Sequence, residues 1–464
     1  MSFSLNVFRA YDIRGIASGV NLEISSEFAY ALGRAFVEEL AIPHPKLVVG
    51  RDNRLTGEAL SCALIAGLKS AGAEVINIGL ATSPYFYFTV CSQKLDGGIE
   101  ITASHNPKEF NGFKVVRAEA VPFSEDEIQN LASRMQKFSV LNNLEQENIK
   151  EVDFKKDYFT KLRSLVSLER KLKIVIDCGN GTVGIFAPDF FRKLGCEVVE
   201  LFCEPDGNFP NHMPNPEDTD SLKTLQKTVL ETKADCGIAF DGDGDRVGIV
   251  DERGEIILLD WLIVLLARDL LVRNPNALVI FDVKCSSILE SEVQKAGGVA
   301  MRWKTGHSFI KKKMRSTGAL LAGEVSGHIF FAENYFGFDD GLLAAAKIIS
   351  IVSKSNRKLS EFFKDIPKTY TSPEIKINIT DEKKFEIMRQ ISDDFAGSFS
   401  NYSMLDGIRI LFSDGAWGLI RPSNTSPYLT LRFEADSEER LREVKEIFAK
   451  KLKKYFEFKL PIIR

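Results

Sequence analysis

Residues 236–254 read CGIAFDGDGDRVGIVDERG: an apolar run, an acidic loop spaced by glycines, a second apolar run and a polar turn. Each apolar run has the length of a strand and is too short for a helix. The acidic loop therefore leaves from the end of a buried strand, where α/β proteins place their chemistry. Outward from this stretch the order strand, polar loop, helix, strand recurs. Upstream it runs through LVVG (47–50), a helical pattern ending near Lys69, AGAEVINIG (71–79) and GGIEITASHNP (97–107). It restarts at KIVIDCGNGTVG (173–184) and FFRKLGCEVV (190–199), then at LVIFDVKCSS (278–287), GGVAMRWKTGHSFI (297–310) and GALLAGEVSGHIFF (318–331). Beyond Pro367 the texture changes to alternating EIKINI (374–379), GIRILF (407–412) and GAWGLIRPSNTSPYLTLRFEA (415–435), with helical patterns from about Asp381 and from Ser437. Such alternation predicts a partly solvent-facing antiparallel sheet. The expected fold is α/β: three tandem related mixed α/β domains followed by a smaller α+β C-terminal domain. Their expected boundaries are 1–148, 149–250, 251–367 and 368–464.

The 464 residues are 44% hydrophobic, as in folded globular proteins, and too many for one core. The 60 basic and 64 acidic side chains are interspersed, for a net charge of −4, which suits no nucleic-acid partner. Lys311, Lys312 and Lys313, and the lysines at 451, 453 and 454, read as solvated surface. Seven cysteines include no CxxC pair, which predicts free thiols in a reducing, cytoplasmic compartment. MSFSLNVFRAYDIRG lacks the pattern of a secretion signal. The most apolar run, Ile256 to Ala267, is interrupted by Asp260, is too short for a bilayer, and reads as a buried helix; no membrane partner is expected.

Asp241, Asp243 and Asp245 alternate with glycines that permit a sharp turn around one point. Three like charges need a cation, and oxygen-only ligation favours a hard divalent ion such as magnesium. A solvated Asp/Gly turn is the alternative, and calcium another, since Glu252 stands twelfth from Asp241; Arg246 at the sixth place, where a calcium loop needs glycine, opposes it. Arg246 either neutralises this cluster or contacts phosphate. Ser104, in ITASHNPKEFNGFKV (101–115), sits in a polar loop after a strand, as a phosphate carrier or as a capping serine. The esterase elbow GxSxG is absent, and His105 and Asn106 equally suit fixing the loop backbone. GLIRPSNTSPYL (418–429) gathers Arg421, Ser423, Asn424 and Thr425, a donor set matched to a tetrahedral anion, although a plain turn fits too. No Walker lysine or GxGxxG helix start accompanies it. Glu324, Ser326 and His328 alternate in GEVSGH and can face vicinal hydroxyls, or form a polar turn. Tyr11, Arg14, Lys114, Lys284 and His307 are weaker single candidates; Lys114 and Arg14 gain weight if they face Ser104, and the KTGH loop of His307 has positive character.

Together YDIRG (11–15), TASHNP (102–107), DGDGDR (241–246), GEVSGH (323–328) and RPSNTSP (421–427) resemble the α-D-phosphohexomutase family, in particular its bacterial and archaeal phosphomannomutase and phosphoglucomutase branch. The resemblance spans essentially the whole chain in the family's order. It implies four domains around a central cleft, each lending one recognition loop, and an enzyme that interconverts hexose 1-phosphate and hexose 6-phosphate of mannose or glucose. It further implies that Ser104 is the phosphoserine and a metal ligand beside Asp241, Asp243 and Asp245, with one magnesium ion per chain. Hexose 1,6-bisphosphate would be the intermediate and activator. Glu324 and Ser326 would contact sugar hydroxyls, and Arg421, Ser423, Asn424 and Thr425 the non-transferring phosphate. Tyr11, Lys284 and His307 would join them in the cleft, with Arg14, Lys114, Arg246 and His328 as proton-transfer or charge-stabilising groups. A monomer or weak homodimer acting on small phosphosugars is expected. The RPSNT form differs from the SGTE loop of phosphoglucosamine mutases, which stand as the alternative ahead of a phosphosugar phosphatase or a non-catalytic phosphosugar-binding protein. Trp261 stands where some relatives carry arginine, a departure expected to bear on hinge or phosphate contacts.

Overall fold

The computed structural model describes residues 3–138, 150–424 and 426–456, and in it the chain builds four sheets. In the first, Lys46–Arg51 lies between Glu74–Leu80 and Gly97–Ile101, parallel to both, and Phe110–Arg117 pairs antiparallel with Gly97–Ile101; Ile13–Ile16 closes the edge. The second repeats this order with Glu197–Leu201, Lys173–Asp177, Cys236–Phe240 and antiparallel Val247–Asp251. The third repeats it again with Val299–Trp303, Leu278–Asp282, Leu321–Gly323 and antiparallel Ile329–Phe331. Central strands such as Gly97–Ile101 and Cys236–Phe240 are buried at every position, which is why Cys236–Phe240 reads as a continuous apolar run.

This repetition places the chemistry. In each of the three domains the central parallel strand and the antiparallel strand after it form a hairpin, and the hairpin loops are 102–109, 241–246 and 324–328. TASHNP, DGDGDR and GEVSGH therefore occupy one topological position, three times over. Helices Ser26–Leu40 and Gly57–Ser70 pack closely on each other because glycines meet at their crossing; a Cβ on Gly67 would lie 2.1 Å from Tyr30 O.

Aromatic contacts join these three domains into one core. Tyr87 packs on Phe338, and Phe88 on both Tyr158 and Phe336, with centroids 5.3 to 6.1 Å apart. The fourth domain has its own core, between a six-stranded antiparallel sheet and the helices Asp381–Ala396 and Glu438–Leu452. It meets the third domain through Val283, Trp417 and Leu419.

Three expectations need correction. The boundary after residue 250 cuts a hairpin, since Ile256–Ile257 pairs with Val247–Asp251 in the second sheet. For the same reason the run from Ile256 is not one helix; the helix is Leu259–Arg273. Trp261 does not line the cleft onto which the motif loops open: its ring stacks on Phe363 at 5.9 Å, within the third domain. The boundary expected at 148 lies outside the described residues. Among the described residues no helix is long and apolar enough to cross a membrane, and all seven cysteines are unbridged.

Candidate active site

The three hairpin loops, with Ser423 and Asn424 of the fourth domain, open onto one cleft. Every expected site residue among those described lines it except Asp241 and Asp243, which are wholly buried. Thr425 lies outside the described residues.

Ser104 holds a left-handed backbone, φ 50°, unusual for a residue with a side chain. The strain is held by Arg54, which the sequence reading missed. Its buried guanidinium donates to the carbonyls of Ser104 (2.9 Å), Asn106 (2.6 Å), Pro107 (2.7 Å) and Phe110 (2.9 Å), with Asp52 accepting from Nε. Thr102 Oγ1 accepts from Ser104 N at 2.9 Å. The serine hydroxyl thus points at Asp241 Oδ2, 2.7 Å away, with His105 Nδ1 at 3.1 Å. His105 is therefore more than a backbone fixer. Burial, reinforced by Arg246 and Arg14, holds its pKa well below the usual imidazole value.

The glycines of the acidic loop turn it back on itself, with φ 74° at Gly244. Gly242 must lack a Cβ, which would sit 2.6 Å from Ser104 O. Ligand oxygens of Asp241, Asp243 and Asp245 converge within 4.8 Å. Lys114 Nζ engages one edge, donating to Oδ2 of Asp243 and of Asp245 at 2.6 Å each and to Ser83 Oγ at 2.7 Å. Burial alone would lower the lysine pKa, but the two carboxylates raise it well above the ordinary value. Lys114 thus stands against these carboxylates as an ammonium, which suits the charge-stabilising one of its two expected roles. Asp243 stays well below the usual carboxylate range because Lys114 outweighs its burial, whereas burial and its two neighbours push Asp241 up. The Oδ1 atoms of Asp243 and Asp245 are buried without a hydrogen-bond partner. An all-oxygen set with orphaned acceptors fits a hard divalent cation. Glu252 takes no part: it accepts from Ser360 Oγ at 2.7 Å, which removes the calcium-loop reading.

Arg246 Nε, always a donor, lies 2.9 Å from His328 Nε2, so that nitrogen is the acceptor and Nδ1 faces Asp339 Oδ2 at 2.8 Å. Asp339 is held in turn by Lys311 at 3.0 Å; Lys311 is buried, not solvated surface. His307 stacks on His328 at 5.7 Å and edge-on to Tyr11 at 4.9 Å, with both ring nitrogens buried and unpartnered. Burial keeps it neutral, well below the usual value, so the KTGH loop gains no positive charge from it. Positive charge comes instead from Lys284, paired with Glu374 at 3.0 Å, and from Arg421. Glu324 accepts from Gly306 N at 2.6 Å; burial, with Asp282 adding to it against the opposing pull of His328, pushes its pKa up to about 7. Ser326 is half-buried beside it. Arg14 bonds Asn106 Oδ1 at 3.0 Å and so faces the Ser104 loop.

In the fourth domain, Arg421 Nε donates to Asp406 at 2.9 Å and Asn424 Nδ2 to Thr305 O at 2.9 Å. Ser423 lines the cleft beside them, with Glu374, Lys376, Tyr428 and Thr430, none of which was singled out in the sequence. Glu374 and Lys376 are masked by the alternation of EIKINI. Asn215 and Glu217 also reach the cleft, from the loop NHMPNPED whose polar Pro/Asn composition was a usable signal.

Four family descriptions cover the chain. "Phosphoglucomutase/phosphomannomutase, alpha/beta/alpha domain I" matches residues 5–140, domain II 156–254, domain III 259–370 and the C-terminal domain 374–451. The chain is 45% identical over 448 residues to a phosphomannomutase/phosphoglucomutase of Pseudomonas putida, covering 96% of this chain and 95% of the other. It is 40% identical to a phosphoglucomutase of Neisseria gonorrhoeae, with 96% of each covered. Among solved structures it is similar to a phosphoglucomutase/phosphomannomutase family protein of Burkholderia thailandensis, with TM-score 0.87, 37% identity, and 97% and 98% coverage.

Proposed function

From the premise that the chain belongs to the α-D-phosphohexomutase superfamily, in its phosphoglucomutase/phosphomannomutase family, we propose that it interconverts the 1- and 6-phosphates of mannose, glucose or both. Members of this family move a phosphoryl group within one sugar. The observation that carries the reading is Ser104 Oγ at 2.7 Å from Asp241, in the same cleft as the unpartnered Nη2 of Arg421.

In this reading a hexose 1-phosphate rests its phosphate on Arg421, Ser423, Asn424 and Thr425, and Glu324 and Ser326 hold its hydroxyls. The 6-hydroxyl then faces phosphorylated Ser104. A divalent cation, magnesium by the chemistry of the ligands, would be held by Asp241, Asp243, Asp245 and the Ser104 group, and would supply positive charge to the phosphoryl oxygens. Arg246, Lys114 and Arg14 add fixed positive charge around the same group. As the sugar oxygen bonds phosphorus, the bond to Ser104 Oγ breaks and its electron pair stays on Oγ. Turning Arg246 Nε toward the phosphoryl group frees His328 Nε2 to take the hydroxyl proton. The charge left on Ser104 Oγ is offset by the fixed positive groups around it, Lys114, Arg14 and Arg246, and a solvent proton restores the hydroxyl while the bisphosphate turns. The product is hexose 1,6-bisphosphate. It turns in the cleft, returns its 1-phosphoryl group to Ser104 and leaves as the 6-phosphate. Unbridged cysteines fit the cytoplasm, and we place the enzyme there as a monomer or weak homodimer.

The test is Ser104→Ala assayed for isomerisation with hexose 1,6-bisphosphate added. Near-wild-type turnover would reject the phosphoserine route. Parallel assays with mannose, glucose and glucosamine 1-phosphates decide the sugar, and steady release of inorganic phosphate would mark a phosphatase instead.

A further inference from the structure

Arg421 can grip a phosphate only if its guanidinium is aimed, and its own domain supplies the means. Asp406 Oδ2 accepts from Arg421 Nε at 2.9 Å, and both side chains are at most 10% exposed. Nη2 of the same guanidinium is buried with no hydrogen-bond partner, and the residue lines the cleft. An orphaned guanidinium nitrogen in a buried site is costly unless a ligand meets it.

The same Asp406 oxygen also accepts from Thr305 N, 3.0 Å away in the third domain. The oxygen of Thr305 is taken at 2.9 Å by Asn424, a member of the same phosphate loop. Residue 305 is thus held at both its backbone groups by the fourth domain. The next residue, Gly306, gives its N–H to Glu324. A continuous chain of bonds links the group assigned to the sugar hydroxyls to the group assigned to the phosphate. Gly407, with φ 77°, permits the turn that carries Asp406: a Cβ there would lie 2.6 Å from Arg421 Cα.

We propose that Asp406 is a positioning residue for phosphosugar binding. It lies outside the cleft lining, fixes the Nε edge of Arg421 so that Nη2 meets the phosphate, and ties that loop to the Thr305–Gly306 peptide beside Glu324. The inference rests on the reading of Arg421 as a phosphate ligand. It also predicts a sign that charge alone would reverse. Removing a carboxylate makes the Arg421 surroundings more positive and by itself would tighten phosphate binding; removing an aiming contact weakens it.

The experiment compares Asp406→Ala, Asp406→Asn, Arg421→Ala and the double variant Asp406→Ala with Arg421→Ala in the full chain. The readouts are KM and kcat for hexose 1-phosphate, with thermal unfolding as a check on folding. Asparagine keeps an acceptor at the same place, so KM should rise about ten-fold or more in Asp406→Ala and less than about three-fold in Asp406→Asn. In both variants kcat should change less than KM. In the Arg421→Ala background, Asp406→Ala should add little, because the residue acts through Arg421. An unchanged or lower KM in Asp406→Ala overturns the inference, as does full additivity of the two alanine variants, or an Asp406→Asn variant as impaired as Asp406→Ala. An Arg421→Ala variant with normal KM fails the underlying phosphate assignment instead. If Asp406→Ala does not fold, the contrast between wild type and Asp406→Asn carries the test. There a KM rise below three-fold supports the inference only if Asp406→Lys, which removes the acceptor, folds and raises KM by more; otherwise it counts against it.

Discussion

Replacing Glu324 by glutamine should flatten part of the pH dependence of folding stability. The carboxyl is buried and its pKa stands at about 7 against 4.5 for an ordinary glutamate, burial being the main cause. Between those values the folded chain binds more protons at this site than the unfolded chain. Stability from this group is therefore full below about pH 4.5, declines as pH rises, and is lost once pH passes about 7. A span of about 2.5 units corresponds to ~3 kcal/mol in total, of which ~2.5 kcal/mol falls between about pH 5 and pH 8. Glutamine keeps an oxygen for Gly306 N, at 2.6 Å in the native chain, and has no proton to lose in this range. Urea unfolding without metal, followed by the fluorescence of Trp261 and Trp303 in the third domain and Trp417 in the fourth, gives the measurement at several pH values. The variant should lose ~2.5 kcal/mol less than wild type between about pH 5 and pH 8. Parallel loss in both proteins would show that Glu324 titrates normally and that its burial is not the cause assigned.

Lys114→Met removes the ammonium from two fully buried carboxylates and should destabilise the metal-free protein by roughly 3–5 kcal/mol, with partial recovery in magnesium; equal urea midpoints for variant and wild type under chelation contradict this. Gly242→Ala pushes a Cβ to 2.6 Å from Ser104 O, so turnover should drop at least about ten-fold while stability falls by only ~1–3 kcal/mol; kinetics matching wild type would mean that the loop yields freely. Arg54→Lys cannot serve four carbonyls at once, and phosphorylation of Ser104 by hexose 1,6-bisphosphate, followed by intact mass, should slow strongly; an unchanged rate would remove Arg54 from the account of the loop.

Local pattern made much of this protein legible. Short apolar runs of two-faced strands announced the repeated α/β units, and glycine-spaced carboxylates, a serine loop after a strand and an Arg/Ser/Asn loop announced the chemistry, because each motif is contiguous. Contacts across domains could not be read this way. Lys114 meets Asp243 and Asp245 from another sheet, and its state follows from that meeting: a lone lysine in FNGFKV carries no sign of being a committed ammonium. Arg54 reads as a loop arginine, yet it holds the left-handed Ser104 through carbonyls some fifty residues away. His307 looks cationic in KTGH and is held neutral by burial, with the nearby Lys311 adding to the effect. Sequence by itself determined the elements, their repetition and the loops that carry the proposed reacting groups, since these depend on spacing along the chain. Only the tertiary structure decided protonation, aim and partnership, because burial and electrostatic fields arise from groups that the chain brings together after long excursions.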